Sequence, residues 1–428
     1  MLSHSIHTEL DEVKKLVNIS PQDTSVASRL TVRENLEFIA GIYGADRKKQ
    51  REKADEMIQY FHLQEVADRR AKVLSGGWQR KLSIAMALIT EPQIIFLDEP
   101  TLGLDVLARR ELWEVIRRMK EKITIILTTH YMEEAESLSD KVAVIVGGPI
   151  KTTGSVGGIK GADRCGQFRG SLCAHCTGRR STLMKGLVFA KRTIKEILRE
   201  PLSYIFCLGF PLLMLLLMSV LNESLPKEAG MSLFALENLA PGTVYFGLTF
   251  IMIFSAIQIA GDRSTSLMVR LHASPMRAVD FIEGYTIPLF ILGMLQMCIT
   301  YAAAVILGII LKTPLKPAAV AGSMLRILPS VLLFASLGLL IGSIFNEKAA
   351  PGLCSVLVTV TGMLGGIWMP VDTLGGKILA VSKALPFYYG VKAARTMDAK
   401  ALIITIIASV FAVLASVFVL RKVWKKSC

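Results

Sequence analysis

Two adjacent carboxylates and a pair of glycines are the residues best placed to do chemistry. Residues 74–105 read LSGGWQRKLSIAMALITEPQIIFLDEPTLGLD. In Ser75-Gly76-Gly77, the glycines let backbone amides approach an anion closely, and Ser75 can cap the helix that follows. The start of that helix carries a partial positive charge, a natural seat for phosphate. Leu82, Ala85, Met86 and Ile89 recur at i, i+3, i+4 and i+7 and predict its buried face. Pro92 ends the helix. Ile94-Ile95-Phe96-Leu97 is then a short apolar run of the kind that forms a buried parallel strand. It delivers Asp98 and Glu99 to the strand's carboxyl end, where open α/β sheets bind ligands. Two carboxylates there can divide the work, one holding Mg²⁺ and the other orienting or deprotonating a water.

In this order and spacing the pieces resemble the ATPase domain of ABC transporters. Leu74-Ser75-Gly76-Gly77 is similar to the family signature. Residues 94–98 with Glu99 are similar to the Walker B strand and its catalytic glutamate. Gly103-Leu104-Asp105 resembles the D-loop, His130 at the end of a strand over 123–129 resembles the switch histidine, and Pro21-Gln22 resembles the Q-loop. The resemblance implies ATP as ligand and Mg²⁺ carried with it at Asp98 and Gln22. It implies catalytic roles for Glu99, His130 and Gln22, and nucleotide contacts from Ser75, Gly76, Gly77, Asp98 and Asp105. It further implies two copies closing on two ATP molecules, with the Ser75–Gly77 nest of one facing the phosphates held by the other. Trp78 departs from the glutamine or methionine usual at the fifth signature position, which leaves the backbone nest intact.

The loop that cradles phosphates in this family, G-x-x-x-x-G-K-[ST], occurs nowhere in the 428 residues. It belongs upstream of the Q-loop. The reading is therefore of a domain without its first strands and phosphate loop, with apolar surface left uncovered where they would pack. Met1 reads as an internal start in a truncated frame, or else a partner donates the missing part.

Around these motifs, a weak strand is expected over 16–19. Thr31-Val32-Arg33-Glu34 is a capping box ahead of Leu36 and Ile39, and residues 31–73 read as charged amphipathic helices. Residues 140–150 (DKVAVIVGGPI) resemble the domain's last strand pair. Residues 156–180 crowd Gly, Arg and Cys without periodicity. Cys165, Cys173, His175 and Cys176 invite a zinc site, but without a small fold around them the stretch reads as a flexible basic linker, or as frameshifted sequence joining two reading frames.

Composition separates the two halves. The chain is 52% hydrophobic and carries 49 Lys+Arg against 35 Asp+Glu, a formal +14. The basic residues form no aromatic-interleaved patch, so no nucleic-acid partner is expected; many flank apolar runs, where phospholipid is the simpler counterpart. Seven scattered cysteines read as reduced thiols. Over 185–200, Leu187, Ile194, Ile197 and Leu198 share one helical face and Lys191, Arg192, Lys195 and Arg199 the other, the pattern of a helix lying on a membrane surface. Six apolar runs follow, over approximately 203–221, 241–260, 287–311, 326–345, 350–369 and 401–420, each about 20 residues and long enough to cross a hydrocarbon core of ~30 Å. Basic flanks put both ends of this half in the cytoplasm. They put the acidic loop 222–240 outside and the Arg263, Arg270, Arg277 loop inside. The loop 370–400 is basic yet falls outside by alternation; Ile378, Leu379, Leu385, Phe387 and Tyr388 would let it rest in the interface.

Gly365-Gly366-Ile367-Trp368-Met369-Pro370 and the basic loop after the second run resemble type-2 ABC permeases, the exporter class. In that family the loop docks on the ATPase through a coupling helix; Leu267, Met268, Leu271 and Phe281 would supply the contacts here. The sequence thus predicts an incomplete α/β P-loop NTPase-like domain over 1–155 and a linker over 156–184. An all-α polytopic domain with six transmembrane helices would fill 185–428. The function expected is ATP-driven export of a lipophilic or drug-like substrate across the plasma membrane, with the ATPase domain and both termini cytoplasmic. Its partners would be membrane lipid and a second ABC subunit, either a second copy or, for activity, one bearing an intact ATPase. The alternative is a non-hydrolysing membrane subunit, or a defective fusion, that relies on such a partner in trans.

Overall fold

The computed structural model describes residues 9–145, 149–155, 183–224 and 232–427. The linker with Cys165, Cys173, His175 and Cys176 lies outside these. The chain divides into two units, Met1–Val188 with Thr265–Arg277, and Phe189–Ser264 with Ala278–Cys428.

The first unit is α/β. Strands β1 (Val17–Ser20), β2 (Ile94–Asp98) and β3 (Thr124–Thr128) form a parallel sheet in that order. The register sets Ser20 against Leu97 and Asp98 against Thr128. Three strand ends therefore finish on one edge, which is where the chemistry of such sheets collects. Helix α1 (Leu10–Leu16) precedes β1. Helix α2 (Val32–Ile42) begins in the expected capping box: the Thr31 hydroxyl accepts from Glu34 N, and the Glu34 carboxylate accepts from Thr31 N at 2.9 Å. Helix α3 (Arg47–Tyr60) carries the charged face. Helix α4 (Gly76–Leu88) buries Leu82, Ala85 and Met86, as its stripe predicted, along with Ile89 just beyond its end. Helices α5 (Val106–Lys120) and α6 (Met132–Leu138) flank β3, and β4 (Val142–Ile145) pairs antiparallel with β5 (Ile150–Gly154). The sheet is not covered on both faces: Ile126 of β3 is 41% exposed, whereas parallel sheets ordinarily bury both.

The second unit is helical. Helix α7 (Leu183–Leu198) starts in the first unit's residues and continues into the second. Among the described residues five helices are long and apolar enough to cross a membrane: α8 (Pro201–Ser224), α9 (Leu236–Ser264), α11 (Ala278–Ile310), α12 (Pro317–Ile344) and α17, whose apolar part is Ala399–Leu420. A π turn over Ile205–Gly209 interrupts α8. The intervening helix α10 (Ser266–Ala273) belongs to the first unit. The fifth expected crossing is the shorter helix α13 (Ala350–Leu364). At 1.5 Å per residue its 15 residues reach only about 22 Å. Gly365 and Gly366, the latter at φ +81°, stop it early. The chain then runs through α14 (Val371–Leu374), α15 (Gly376–Ala384) and α16 (Pro386–Arg395).

Helices α9 and α12 approach most closely at Gly338 and Gly342, a G-x-x-x-G pair. A Cβ at Gly338 would lie 2.5 Å from the Met252 carbonyl oxygen, and one at Gly342 2.6 Å from that of Ala256. Main-chain contact of this kind is how helices associate where no water drives them together.

Three details of the apolar half depart from expectation. Arg192 is not on a solvated face: it is buried, bonds Asp262 through both terminal nitrogens at 2.6 and 2.8 Å, and meets Glu196 at 2.9 Å. Periodicity placed it among lysines, but a carboxylate on α9 captures it. Phe281, expected beside Leu267, Met268 and Leu271, belongs to the helical unit, where its ring packs 5.0 Å from that of Phe189. Phe387 and Tyr388 are buried rather than interfacial, with Phe387 stacked on Phe334 at 5.6 Å.

Candidate functional site

The edge where the three parallel strands finish gathers four of the expected residues. Gln22 follows β1 by two positions, Asp98 ends β2, Glu99 is the next residue, and His130 follows β3 by two. The Gln22 amide donates to Glu99 Oε2 at 2.8 Å, and His130 Nδ1 lies 3.0 Å from Glu99 Oε1. Each carboxylate oxygen of Glu99 thus has its own side-chain partner. Asp98 accepts from the Thr128 hydroxyl across the β2–β3 register. Glu99 sits at φ +44°, a left-handed conformation that costs a non-glycine residue about 1–2 kcal/mol. Its amide is held there by the Thr128 carbonyl at 3.1 Å and hydroxyl at 3.3 Å. The Glu99 side chain keeps 24% of its surface exposed and His130 53%, so the pair faces solvent at the strand ends.

The residue that fixes this edge was not among the expected ones. Arg80, about one turn into α4 and buried, donates to four backbone carbonyls: Pro21 at 2.5 Å, Gln22 at 2.9 Å, Asp98 at 2.5 Å and Pro100 at 2.9 Å. One guanidinium therefore ties the segment carrying Gln22 to the segment carrying Glu99. Burial pulls its pKa down, opposed by the charges of Asp98 and Glu134. Glu134 is a second such residue. It is buried in α6, accepts from the Thr129 hydroxyl at 2.5 Å, and Thr129 in turn holds the Tyr131 amide at 3.0 Å, bracketing His130. A buried charge in an otherwise apolar helix face was the available signal for both.

Ser75, Gly76 and Gly77 join none of these bonds. Ser75 occupies the N-cap position of α4, but its side chain makes no cap hydrogen bond, contrary to the capping role expected. Gly76 is exposed, and nothing approaches within 4 Å of the place its Cβ would take. Gly77 lies beside Leu104 and Ala108. Asp105 is the N-cap of α5, its carboxylate accepting from Ala108 N at 2.8 Å, while Gly103 before it turns at φ +73°. The structure thus brings Gln22, Asp98, Glu99 and His130 together and sets Ser75, Gly76, Gly77 and Asp105 at helix starts beside them in sequence.

For Mg²⁺ the donor set is sparse: among the described residues no group of three or more His, Cys, Asp or Glu side chains could hold an ion. A single strand-end carboxylate, Asp98, with Gln22 nearby suits an ion that arrives on a nucleotide and keeps its waters, not one caged by protein.

Comparison with known proteins bears on both units. A family model described as ABC transporter matches residues 2–102, and one described as ABC-2 type transporter matches residues 186–398. Over 161 residues the chain is 37% identical to the daunorubicin/doxorubicin resistance ATP-binding protein DrrA of Streptomyces peucetius, covering 37% of this chain and 49% of that protein. Over 152 residues it is 38% identical to the phospholipid-transporting ATPase ABCA3 of Homo sapiens, covering 36% of this chain and 9% of that protein. The human ATP-binding cassette sub-family A member 2 is 40% identical over 158 residues, 37% of this chain and 6% of its own length. The chain thus spans less than a tenth of these ABCA relatives and about half of DrrA.

Proposed function

Because this chain belongs to the ABC transporters, joining an ATP-binding region to a type-2 permease in one multi-pass membrane protein, we propose that it uses ATP hydrolysis to export a lipophilic or drug-like substrate across the plasma membrane. The observation that carries the reading is the Glu99 carboxylate, held between the Gln22 amide and the His130 imidazole at the end of a parallel strand. So positioned, Glu99 orients a water and takes its proton as the water attacks the terminal phosphate. His130 contributes a polar contact at that phosphate, and the Gln22 amide keeps the carboxylate aimed. Catalysis of this kind is positioning and charge stabilisation. Mg²⁺, when bound with the nucleotide at Asp98 and Gln22, supplies charge neutralisation. The uncrowded helix start at Gly76 suits the phosphates of a nucleotide held mainly by another subunit.

The cargo class rests on the span helices, whose apolar cores carry few ionisable groups and so favour a lipophilic passenger over an ion. The names of the relatives, a drug-resistance protein and a phospholipid-transporting ATPase, point the same way. Basic residues beside the spans put the ATPase unit and both termini in the cytoplasm. Closure of two subunits on ATP then favours one of two arrangements of the spans, as differential binding requires.

No G-x-x-x-x-G-K-[ST] is present in these 428 residues; the phosphate loop of a working site comes from other residues, of a second ABC subunit in the arrangement proposed. The purified 428-residue chain is expected to show no Mg-ATPase above its Glu99→Gln variant. Mixed with a related subunit that carries the loop, it should yield activity that Gly76→Asp abolishes, since a carboxylate there repels phosphate without touching the fold. Activity in the mixture indifferent to Gly76→Asp overturns the proposal. A second reading is a membrane subunit whose ATPase half is idle; transport surviving deletion of residues 1–155 would establish it.

A further inference from the structure

The segment Thr265–Arg277 is joined at both ends to span helices, yet it packs as part of the α/β unit. Its helix α10 buries Leu267 and Leu271, and between them Arg270 is 1% exposed. Arg270 Nη2 donates to the Ser83 carbonyl at 2.6 Å and to the Ser83 hydroxyl at 2.8 Å. Nε and Nη1 have no partner among the described residues, and neither does the buried Tyr43 hydroxyl near it. Among the described residues no carboxylate forms a salt bridge with it. Burial draws the Arg270 pKa down to about 9, with the Tyr43 hydroxyl opposing and the Arg80 charge adding to the fall. A guanidinium kept at this cost serves something other than stability.

What it touches is a node. The Ser83 hydroxyl also lies 3.1 Å from that of Ser20 and 3.4 Å from that of Ser25. All three serines are fully buried. Ser20 and Ser25 bracket the turn that carries Gln22, and Ser83 is one turn beyond Arg80 on α4. With Arg270 donating to it, the Ser83 hydroxyl keeps one lone pair and its proton for the hydroxyls of Ser20 and Ser25, with either partner of each pair able to donate. Without that donor the hydroxyl is free to rotate and bond a carbonyl one turn back in its own helix, the ordinary habit of a helical serine.

We propose that Ser83, with Ser20 and Ser25, is a relay through which Arg270 sets the position of Gln22 against Glu99. The relay runs Arg270, Ser83, then Ser20 and Ser25, then the Gln22 turn, and ends on the carboxylate. Arg270 and the serines are positioning residues and touch no reacting atom. The relay rests on the ATPase reading for its purpose but not for its geometry, and the test separates the two.

Amide hydrogen exchange on the full chain in detergent reads the geometry directly. Arg270→Met keeps the aliphatic packing and removes the charge. Exchange over residues 22–26 should accelerate by about tenfold, the loss expected for one hydrogen bond to a charged group. Exchange over 94–98 should stay unchanged and the melting temperature should not fall, because the variant sheds a buried unbalanced charge. A residue that merely packs gives the opposite pattern, a lower melting temperature with no selective change at 22–26, and that result overturns the relay. Ser83→Ala must reproduce the acceleration; if Arg270→Met does not fold, Ser83→Ala alone decides. In the mixture with a loop-bearing subunit, Arg270→Met should lower kcat about tenfold with KM for ATP within twofold, since the base is misaimed and the nucleotide contacts are intact. If the unmodified chain supports no hydrolysis, the ATPase reading fails while the exchange result still judges the relay.

Discussion

Arg80 gives the sharpest test of how the strand-end edge that carries Gln22 and Glu99 is held. Replacing it with Met keeps the stem and removes the guanidinium that meets the carbonyls of Pro21, Gln22, Asp98 and Pro100. Four charge-assisted bonds at about 1.5–3 kcal/mol each sum to about 6–12 kcal/mol. Against this stands the cost of holding the guanidinium out of water, several kcal/mol for a buried ion, in keeping with its lowered pKa. The net loss should be about 3–5 kcal/mol, the range found when one member of a buried polar contact is removed. The damage is local, because all four acceptors lie in the two segments that carry Gln22 and Glu99. At about 1.4 kcal/mol per factor of ten, amide exchange at 22–24 and 98–102 should accelerate by about 10²–10³. Arg80→Lys offers three donors on one nitrogen, cannot spread over four carbonyls, and should fall between. In the reconstituted mixture, kcat should drop by at least about tenfold for Met. If Arg80→Met exchanges within threefold of the parent at both segments and keeps its rate, the guanidinium does not fix this edge and the reasoning fails.

Three further outcomes follow from single contacts. Gly342→Ala places a methyl 2.6 Å from the Ala256 carbonyl oxygen, where no side chain can yield; it should cost about 1–3 kcal/mol and lower the detergent melting temperature. Gly352→Ala, with nothing within 4 Å, should be neutral in the same assay. Thr31→Ala removes one half of the α2 capping box and should destabilise the α/β unit by about 1 kcal/mol, read by urea titration of Trp78 and Trp113 fluorescence. Arg270, lowered to about 9 from the ordinary guanidinium range, begins to bind fewer protons folded than unfolded as pH rises through about 9. Its penalty is constant well below that and shrinks as pH rises further, so the melting gap between the parent and Arg270→Met should narrow from pH 8.5 to pH 10.5.

The gathering of Gln22, Asp98, Glu99 and His130 at one strand-end edge was legible in the sequence because each of its pieces is local. A strand of four apolar residues ends where Pro92 and the Asp98-Glu99 pair say it must, and the parallel register then carries Gln22 and His130 to the same edge at no further specification. The capping box at Thr31 and the face of α4 were legible for the same reason: a helix writes its own period. Arg80, Ser83, Arg192 and Arg270 were not, because what defines each is an acceptor or carboxylate far along the chain, and periodicity sees only that a polar residue stands on a helix. For Arg192 the period gave the wrong answer, assigning it to water when Asp262, 70 residues away, takes it inside. Gly338 and Gly342 fall between these cases, since their spacing is visible in the sequence but the opposing carbonyls of Met252 and Ala256 are not. A charged or polar residue that breaks the composition of an otherwise buried helix face is thus worth reading as a request for a distant partner. In this chain Arg80 and Arg270 answer to main-chain oxygens or a serine hydroxyl of the ATP-binding unit and Arg192 to Asp262 and Glu196 of the span bundle, and each partner lies on a segment whose displacement would move either Glu99 or the helices that cross the membrane.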